Sequence, residues 1–130
     1  MSQINQMPER LQSIVSEMRS IIQNGGTAEE AKSAIGWRHG GPRFMDEVTK
    51  LKMELKDMGK KVTTVKALHA FKDIKVKNPT GRLILIPIRG TMLFKNGDPL
   101  AADCYYYLEE ERVLRGEDMD LIFVVLEGKK

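Results

Sequence analysis

The chain has 130 residues, of which 42% are hydrophobic and 30% charged, and its net charge is +3. This size and composition fit one ordinary globular domain that folds without a structural metal or a disulfide. The single cysteine excludes an internal disulfide, and no apolar run approaches the roughly 20 residues that span a membrane.

The N-terminal half carries the apolar spacing of three helices. Residues 8–24 place their apolar side chains on one stripe, and a proline and two glycines mark the ends. Residues 27–36 begin with a capping box formed by Thr27 and Glu30. Residues 42–59 start at a proline and stop at a glycine, which predicts the longest helix.

The C-terminal half changes its periodicity. Residues 62–71 are ambiguous between a strand and a short helix, and residues 73–94 predict two strands around a turn at 78–81. The second arm, "RLILIPI", is apolar on both faces and is predicted to be central. Residues 99–115 predict a helix, and residues 119–127 a buried strand.

The fold class predicted from this order is α+β. An N-terminal three-helix region is followed by a β-β-α-β unit with an antiparallel or mixed sheet. Residues 1–62 form the predicted helical region and residues 63–130 the α+β region, packed together as one compact domain.

Short catalytic motifs are absent from the sequence. The two histidines, His39 and His69, have no partner at metal-ligand spacing, and no phosphate-binding glycine loop follows a strand. Cys104 lies on the apolar stripe of its predicted helix, which favours an inert buried thiol. We therefore expect a protein without catalytic activity, cofactor or metal.

Basic residues are concentrated in the middle of the chain. Residues 59–95 hold nine lysines and arginines against one acid, Asp73, whereas the last 35 residues are acidic. This split indicates an anionic ligand, self-association through complementary patches, or a solvated lysine-rich surface. The first ten residues lack the pattern of a signal peptide, so the expected location is the cytoplasm.

Residues 25–65 resemble a helix-turn-helix or winged-helix module. The segment "TAEEAKSAIGWRHGGPRFMDEVTKLKMELKDMGKKV" has a short capped helix, a glycine turn and a longer helix. The resemblance implies that Arg43 approaches base edges in DNA. It also implies that phosphates are contacted by Arg38, His39, Lys50, Lys60 and Lys61.

The stretch "GWRHGGPRF" allows two interpretations of Trp37. The indole either covers the edge of the core behind a helix, which we favour, or stacks on a base or another ligand. A second basic surface on the predicted hairpin contains Lys75, Lys77 and Arg82. These side chains either contact nucleic acid or an acidic protein, or protect an edge strand from aggregation.

A narrow apolar seam follows the longest predicted helix at a 4-3-4-3 spacing. Its residues are Phe44, Val48, Leu51, Leu55 and Met58. The seam predicts either a dimer interface or the face of a helix that packs on its own core.

The leading functional hypothesis is a small non-catalytic DNA-binding protein that uses its basic loop, helix and hairpin. One alternative is a dimeric protein-interaction module, such as an inhibitor, adaptor or assembly factor, of a kind that phages carry. A weaker alternative is a binder of a small anionic nucleotide. No membrane partner is expected.

Overall fold

The protein, seen in a computed structural model that describes residues 2–128, has two helices and ten strands in that range. Helix α1 spans Glu9–Gln23 and helix α2 spans Pro42–Asp57. The strands are β1 (Ser2–Gln6), β2 (Ala28–Glu30), β3 (Gly36–Gly40), β4 (Val62–Ala70), β5 (Ile74–Val76), β6 (Leu83–Arg89), β7 (Met92–Phe94), β8 (Cys104–Leu108), β9 (Arg112–Gly116) and β10 (Met119–Leu126).

The helices predicted over residues 8–24 and 42–59 are confirmed. α1 ends where Gly25 adopts a φ of +69°, a conformation that favours glycine, and α2 begins with Pro42 at its first position. Neither helix formed by residues 2–128 is long and apolar enough to cross a membrane.

The strands form two antiparallel sheets. The larger sheet has the strand order β1-β8-β6-β10-β4-β3-β2, and the smaller sheet has the order β5-β9-β7. The predicted α+β class with three N-terminal helices is therefore wrong, because the described chain is mostly β. Residues 1–62 contribute β1, β2 and β3 to the same large sheet as the later strands.

Two predicted helices are strands instead. Residues 27–36 contain β2 and the start of β3, which pair with each other from Ala28 opposite Gly40 onwards. A ten-residue helix is marginal on its own, and strand pairing overrides its weak local preference. Residues 99–115 contain β8 and β9, and Tyr105 and Tyr106 are buried towards opposite faces of β8.

The two arms of the predicted hairpin are strands, but they do not pair with each other. β5 pairs with β9 in the small sheet, whereas β6 lies between β8 and β10 in the large sheet. The central position predicted for the second arm is confirmed. Its Pro87 lies opposite Leu121, beside an irregularity in the register of β6 with β10.

The large sheet separates two apolar cores. On one face the helices pack against side chains such as Ile122 and Val124 of β10. On the other face the small sheet packs against Leu121 and Met119 of the same strand. Successive residues of β10 therefore enter different cores, as the two-residue period of a strand requires. The arrangement gives the large sheet a helix-covered face and a sheet-covered face.

The apolar seam of α2 lies in the core under the helices. Phe44, Leu51 and Leu55 are fully buried and Val48 nearly so, while Met58 packs partly buried against the same cluster. These side chains contact α1 and the large sheet of their own chain. The seam is therefore part of the protein's own core, which is the second of the two predicted alternatives.

Candidate metal centre

Three side chains with metal-ligand chemistry converge on the helix-covered face of the large sheet. His39 Nε2 lies 2.7 Å from Asp120 Oδ1, and His69 Nδ1 lies 2.9 Å from the same oxygen. One donor atom from each residue lies within 4.8 Å of the others. These three side chains form the candidate metal centre.

The register of three neighbouring strands brings the side chains together. Asp120 on β10 lies directly opposite His69 on β4, and His69 lies opposite Trp37 on β3. His39 follows Trp37 by two residues and therefore projects to the same face. The three positions are distant in sequence but adjacent across the ladder.

The centre lies at the wall of a small cavity and is shielded from solvent. His39 is 4% exposed and Asp120 is 2% exposed. The cavity measures about 210 Å³. It is lined by Ile22, Gly25, Thr27, Glu29, Trp37, His39, His69, Arg89, Asp118 and Asp120.

Each histidine has an oxygen partner on its other ring nitrogen. Thr27 Oγ1 lies 3.0 Å from His39 Nδ1, and Asp118 Oδ1 lies 3.3 Å from His69 Nε2. Asp118 holds this position with a φ of +46°, in the left-handed region that non-glycine residues rarely adopt. Outer oxygen acceptors of this kind orient metal-bound histidines.

The hydrogen-bond pattern suits a cation between the rings. When the outer nitrogens donate to Thr27 and Asp118, the inner nitrogens present lone pairs. Those lone pairs and the carboxylate oxygen of Asp120 then face one another. Without a metal the inner nitrogens instead donate hydrogen bonds to Asp120, and a metal ion would take the place of those protons.

The spacing of the donor atoms also fits a metal ion. Ligand atoms bound at about 2.1 Å and at right angles to one another are about 3.0 Å apart. The two nitrogen–oxygen separations in the centre, 2.7 and 2.9 Å, are those of hydrogen bonds and are also close to that value. A two-histidine, one-carboxylate set leaves further coordination positions open for water or substrate.

Asp120 is set up to carry a negative charge in spite of its burial. Burial raises the pKa of its carboxyl, but hydrogen bonds and positive charge from His39 and His69 outweigh this effect. The pKa therefore lies below its ordinary value. Because a carboxylate binds a metal only when it is ionised, this direction favours the ligand form.

Trp37 holds the His69 ring in place. Its ring stacks on that of His69 with centroids 4.3 Å apart and an interplanar angle of 14°. Phe71 packs edge-on against both rings. The indole Nε1 is buried without a hydrogen-bond partner among residues 2–128. The structure refines the favoured interpretation of Trp37 as a cover at the core edge, because the indole packs against a candidate metal ligand.

Four of the residues predicted to contact nucleic acid form ion pairs within the chain. Arg38 pairs with Glu30, Arg43 with Glu17, Lys50 with Glu47 and Lys75 with Glu111. Arg82 donates to the hydroxyl of Tyr107 and the carbonyl of Glu127. Lys60 and Lys61 follow α2, and Lys77 follows β5. Only His39 and Trp37 of the predicted set belong to the metal centre or contact it.

Sequence reasoning missed His69 as a ligand and missed Asp120 altogether. The three ligands come from three strands, so no short motif contains two of them. The sequence offered one signal, which was the acidic residue Asp120 at the start of an apolar strand. It becomes informative only once β10 is known to lie beside β4.

Gly36, which precedes Trp37, is a glycine that the metal centre depends on. It has a φ of +153°, and a Cβ at this position would collide with the backbone carbonyl oxygen of His69. We expect Gly36→Ala to separate β3 from β4 and to lower the free energy of unfolding by about 3 kcal/mol. Urea unfolding measures the change.

Gly59→Ala is the matched control for this substitution. Gly59 also has a positive φ, of +83°, but a Cβ there would meet no atom within 4 Å. Its cost should be confined to backbone strain, about 1 kcal/mol. Equal losses in the two variants would contradict the contact assigned to Gly36.

Comparison with known proteins shows the fold. No family model and no curated protein sequence matches the chain, so the helix-turn-helix resemblance gains no support. A solved prolyl-4-hydroxylase from Pseudomonas putida is similar in structure, with a TM-score of 0.50 and 11% sequence identity. The alignment covers 99% of this chain and 92% of that chain.

These findings correct the predicted function. The non-catalytic DNA-binding protein expected from the basic loop is contradicted by a fold similar to that of an enzyme and by the convergence of His39, His69 and Asp120. The segment that resembled the first helix of a helix-turn-helix module is β2 and the start of β3. The expectation of no enzymatic activity is contradicted by the same two findings.

Proposed function

We propose that the protein is a metal-dependent enzyme of the non-haem iron oxygenase class. The observation that carries the proposal is the convergence of two histidines and one carboxylate on a buried point with positions left open. This donor set is typical of iron(II) sites that activate oxygen. Similarity in fold to a hydroxylase supports the same class.

His39, His69 and Asp120 would hold the metal. An iron(II) ion bound there supplies the activation of O₂ for hydroxylation chemistry. Asp120 contributes the negative charge, while Thr27 and Asp118 fix the orientation of the two rings. Trp37 restricts rotation of His69 by stacking on it.

Arg89 is the arginine among the side chains that line the cavity, which also include the acids Glu29, Asp118 and Asp120. It lies opposite Asp120 in the ladder and lines the same cavity. With a divalent ion bound beside Asp120, the guanidinium of Arg89 and the ion together would attract an anionic group. The substrate class proposed for this cavity is a small molecule whose anionic group would pair with Arg89 and the metal ion.

Metal loading and oxygen consumption test the proposal. The protein is stripped with a chelator, loaded with iron(II) without oxygen, and then exposed to O₂ and ascorbate in an oxygen-electrode cell. We expect the loaded wild-type protein to consume O₂ faster than loaded Asp120→Asn protein. Cobalt(II) loading, followed by its visible absorption, reports binding independently of reactivity.

The two readouts separate the two parts of the proposal. Cobalt absorption that is the same in wild type and in Asp120→Asn would contradict the metal centre. If cobalt binding requires Asp120 but the iron-loaded wild type consumes O₂ no faster than Asp120→Asn, the oxygenase class would be contradicted. The metal centre would still be supported.

A further inference from the structure

A second cleft, of about 320 Å³, lies beside the metal cavity and shares Trp37 and His69 with it. Leu68 and Ala70 line it and alternate with His69 along β4, so they face the small sheet. The full lining is Ala31, Ser33, Ile35, Gly36, Trp37, Arg38, Lys66, Leu68, His69, Ala70 and Ile74. Its volume lies at the lower end of the range for small-molecule sites.

The outer wall of the cleft is the loop between β2 and β3, which is held by backbone hydrogen bonds. Ser33 N–H donates to the carbonyl of Gly36, and Phe71 N–H donates to the carbonyl of Ile35. Ala31 has a φ of +51°, a strained conformation for a residue with a side chain. The loop is thus fixed in place, and yet its Ile35 is 65% exposed. An isoleucine presented in this way offers an apolar contact to a ligand.

The charge at the cleft is positive. Lys66 is exposed at its rim, and no ion pair joins it to a carboxylate within residues 2–128. Arg38, the other cation of the lining, lies 3.6 Å from Glu30 and is already paired. Lys66 is therefore the cation available to an incoming anion.

We infer that this cleft binds a small amphiphilic carboxylate. The apolar part of the ligand would lie against Ile35, Leu68 and Ile74, and its carboxylate would pair with Lys66. The site borders the metal cavity, but its Lys66 and Leu68 project from the face of β4 opposite His69, and it goes beyond the proposed enzymatic function. It holds whether or not the metal centre is catalytic.

Trp37 provides the readout, because it is the single tryptophan of the chain and lines both the cleft and the metal cavity, so that variants are needed to tell the two sites apart. Its fluorescence is titrated with octanoate and with octanol in the presence of a chelator, so that no metal can hold the carboxylate. We expect saturable binding of octanoate. Octanol, which has the same chain without the charge, should bind about fivefold more weakly, since a half-exposed ion pair contributes only modestly.

Two variants assign the binding to this cleft. Ile35→Ser should weaken octanoate about tenfold, because an apolar contact is lost. Lys66→Gln should remove the preference for octanoate over octanol. Matched controls are Ile4→Ser, at an isoleucine that is 67% exposed elsewhere, and Lys52→Gln on α2, which should both bind octanoate like wild type.

Three results would overturn the inference. The first is the absence of a saturable fluorescence change with octanoate. The second is an equal affinity for octanoate in wild type, Ile35→Ser and Lys66→Gln. The third is a loss in Arg89→Gln as large as that in Lys66→Gln, which would place the carboxylate in the metal cavity.

Discussion

Asp120→Asn abolishes the metal-dependent gain in stability that the wild-type protein is expected to show. The neutral amide is close in shape to the carboxylate, but it is a poor metal ligand and brings no charge to the buried site. In wild type, a metal concentration about 100 times the Kd should add about 2.7 kcal/mol to the free energy of unfolding. Urea unfolding with cobalt(II) and with chelator measures the difference for each protein.

Two neighbouring acids provide graded controls for this experiment. Asp118→Ala removes the outer acceptor of His69 and should weaken metal binding about 10- to 100-fold without abolishing it. Glu117 is exposed and is not among the side chains that line the cavity, so Glu117→Gln should behave like wild type. A full metal-dependent gain in Asp120→Asn would refute the centre.

Leu51→Asp is expected to unfold the protein rather than to release a soluble monomer from a dimer. Leu51 is fully buried between α2 and its neighbours in the helix-side core. A carboxylate there has no partner, and loss of the apolar side chain adds to the penalty, for a total of roughly 4 kcal/mol or more. This is most of the stability of a typical small domain.

Met53→Asp is the matched control on the same helix. Met53 is 62% exposed, so its substitution should change the free energy of unfolding by no more than about 0.5 kcal/mol. Circular dichroism and light scattering distinguish the outcomes. A folded Leu51→Asp monomer, half the mass of the wild-type particle, would restore the dimer interpretation of the seam.

The elements that the sequence predicted correctly have strong local patterns. α1 and α2 combine a continuous apolar stripe with clear end signals, and β6 and β10 are apolar on both faces. These patterns depend only on residues within one element. Whether one of these elements is buried on one face or on both could therefore be predicted without knowing which elements lie beside it.

The elements that were mispredicted depend on contacts between distant residues. β2 is three residues long and exposed, so its conformation is set by pairing with β3 rather than by its own alanine and glutamate residues. β8 has a run of tyrosines that is compatible with a helix until it lies between β1 and β6. The residue pattern of β8 alone does not distinguish a strand from a helix.

For the same reason, the sequence pointed to only part of the candidate site. His39 stood out because it lies among glycines and arginines, although the role predicted for it was contact with phosphate. His69 and Asp120 become partners only through the order β3-β4-β10 in the large sheet. Spacing along the chain cannot reveal ligands that three separate strands supply.

The central position of β10 makes the completion of the large sheet depend on one late segment of the chain. The strand lies between β6 and β4, and until it is in place both of them lack a partner along one edge. During synthesis on the ribosome, residues up to 118 emerge before this strand, so the large sheet cannot close until translation has passed Leu126. Exposed strand edges promote aggregation, and pairing between distant segments slows folding. Asp120 belongs to the same strand, so the candidate metal centre is incomplete until β10 has paired with β4.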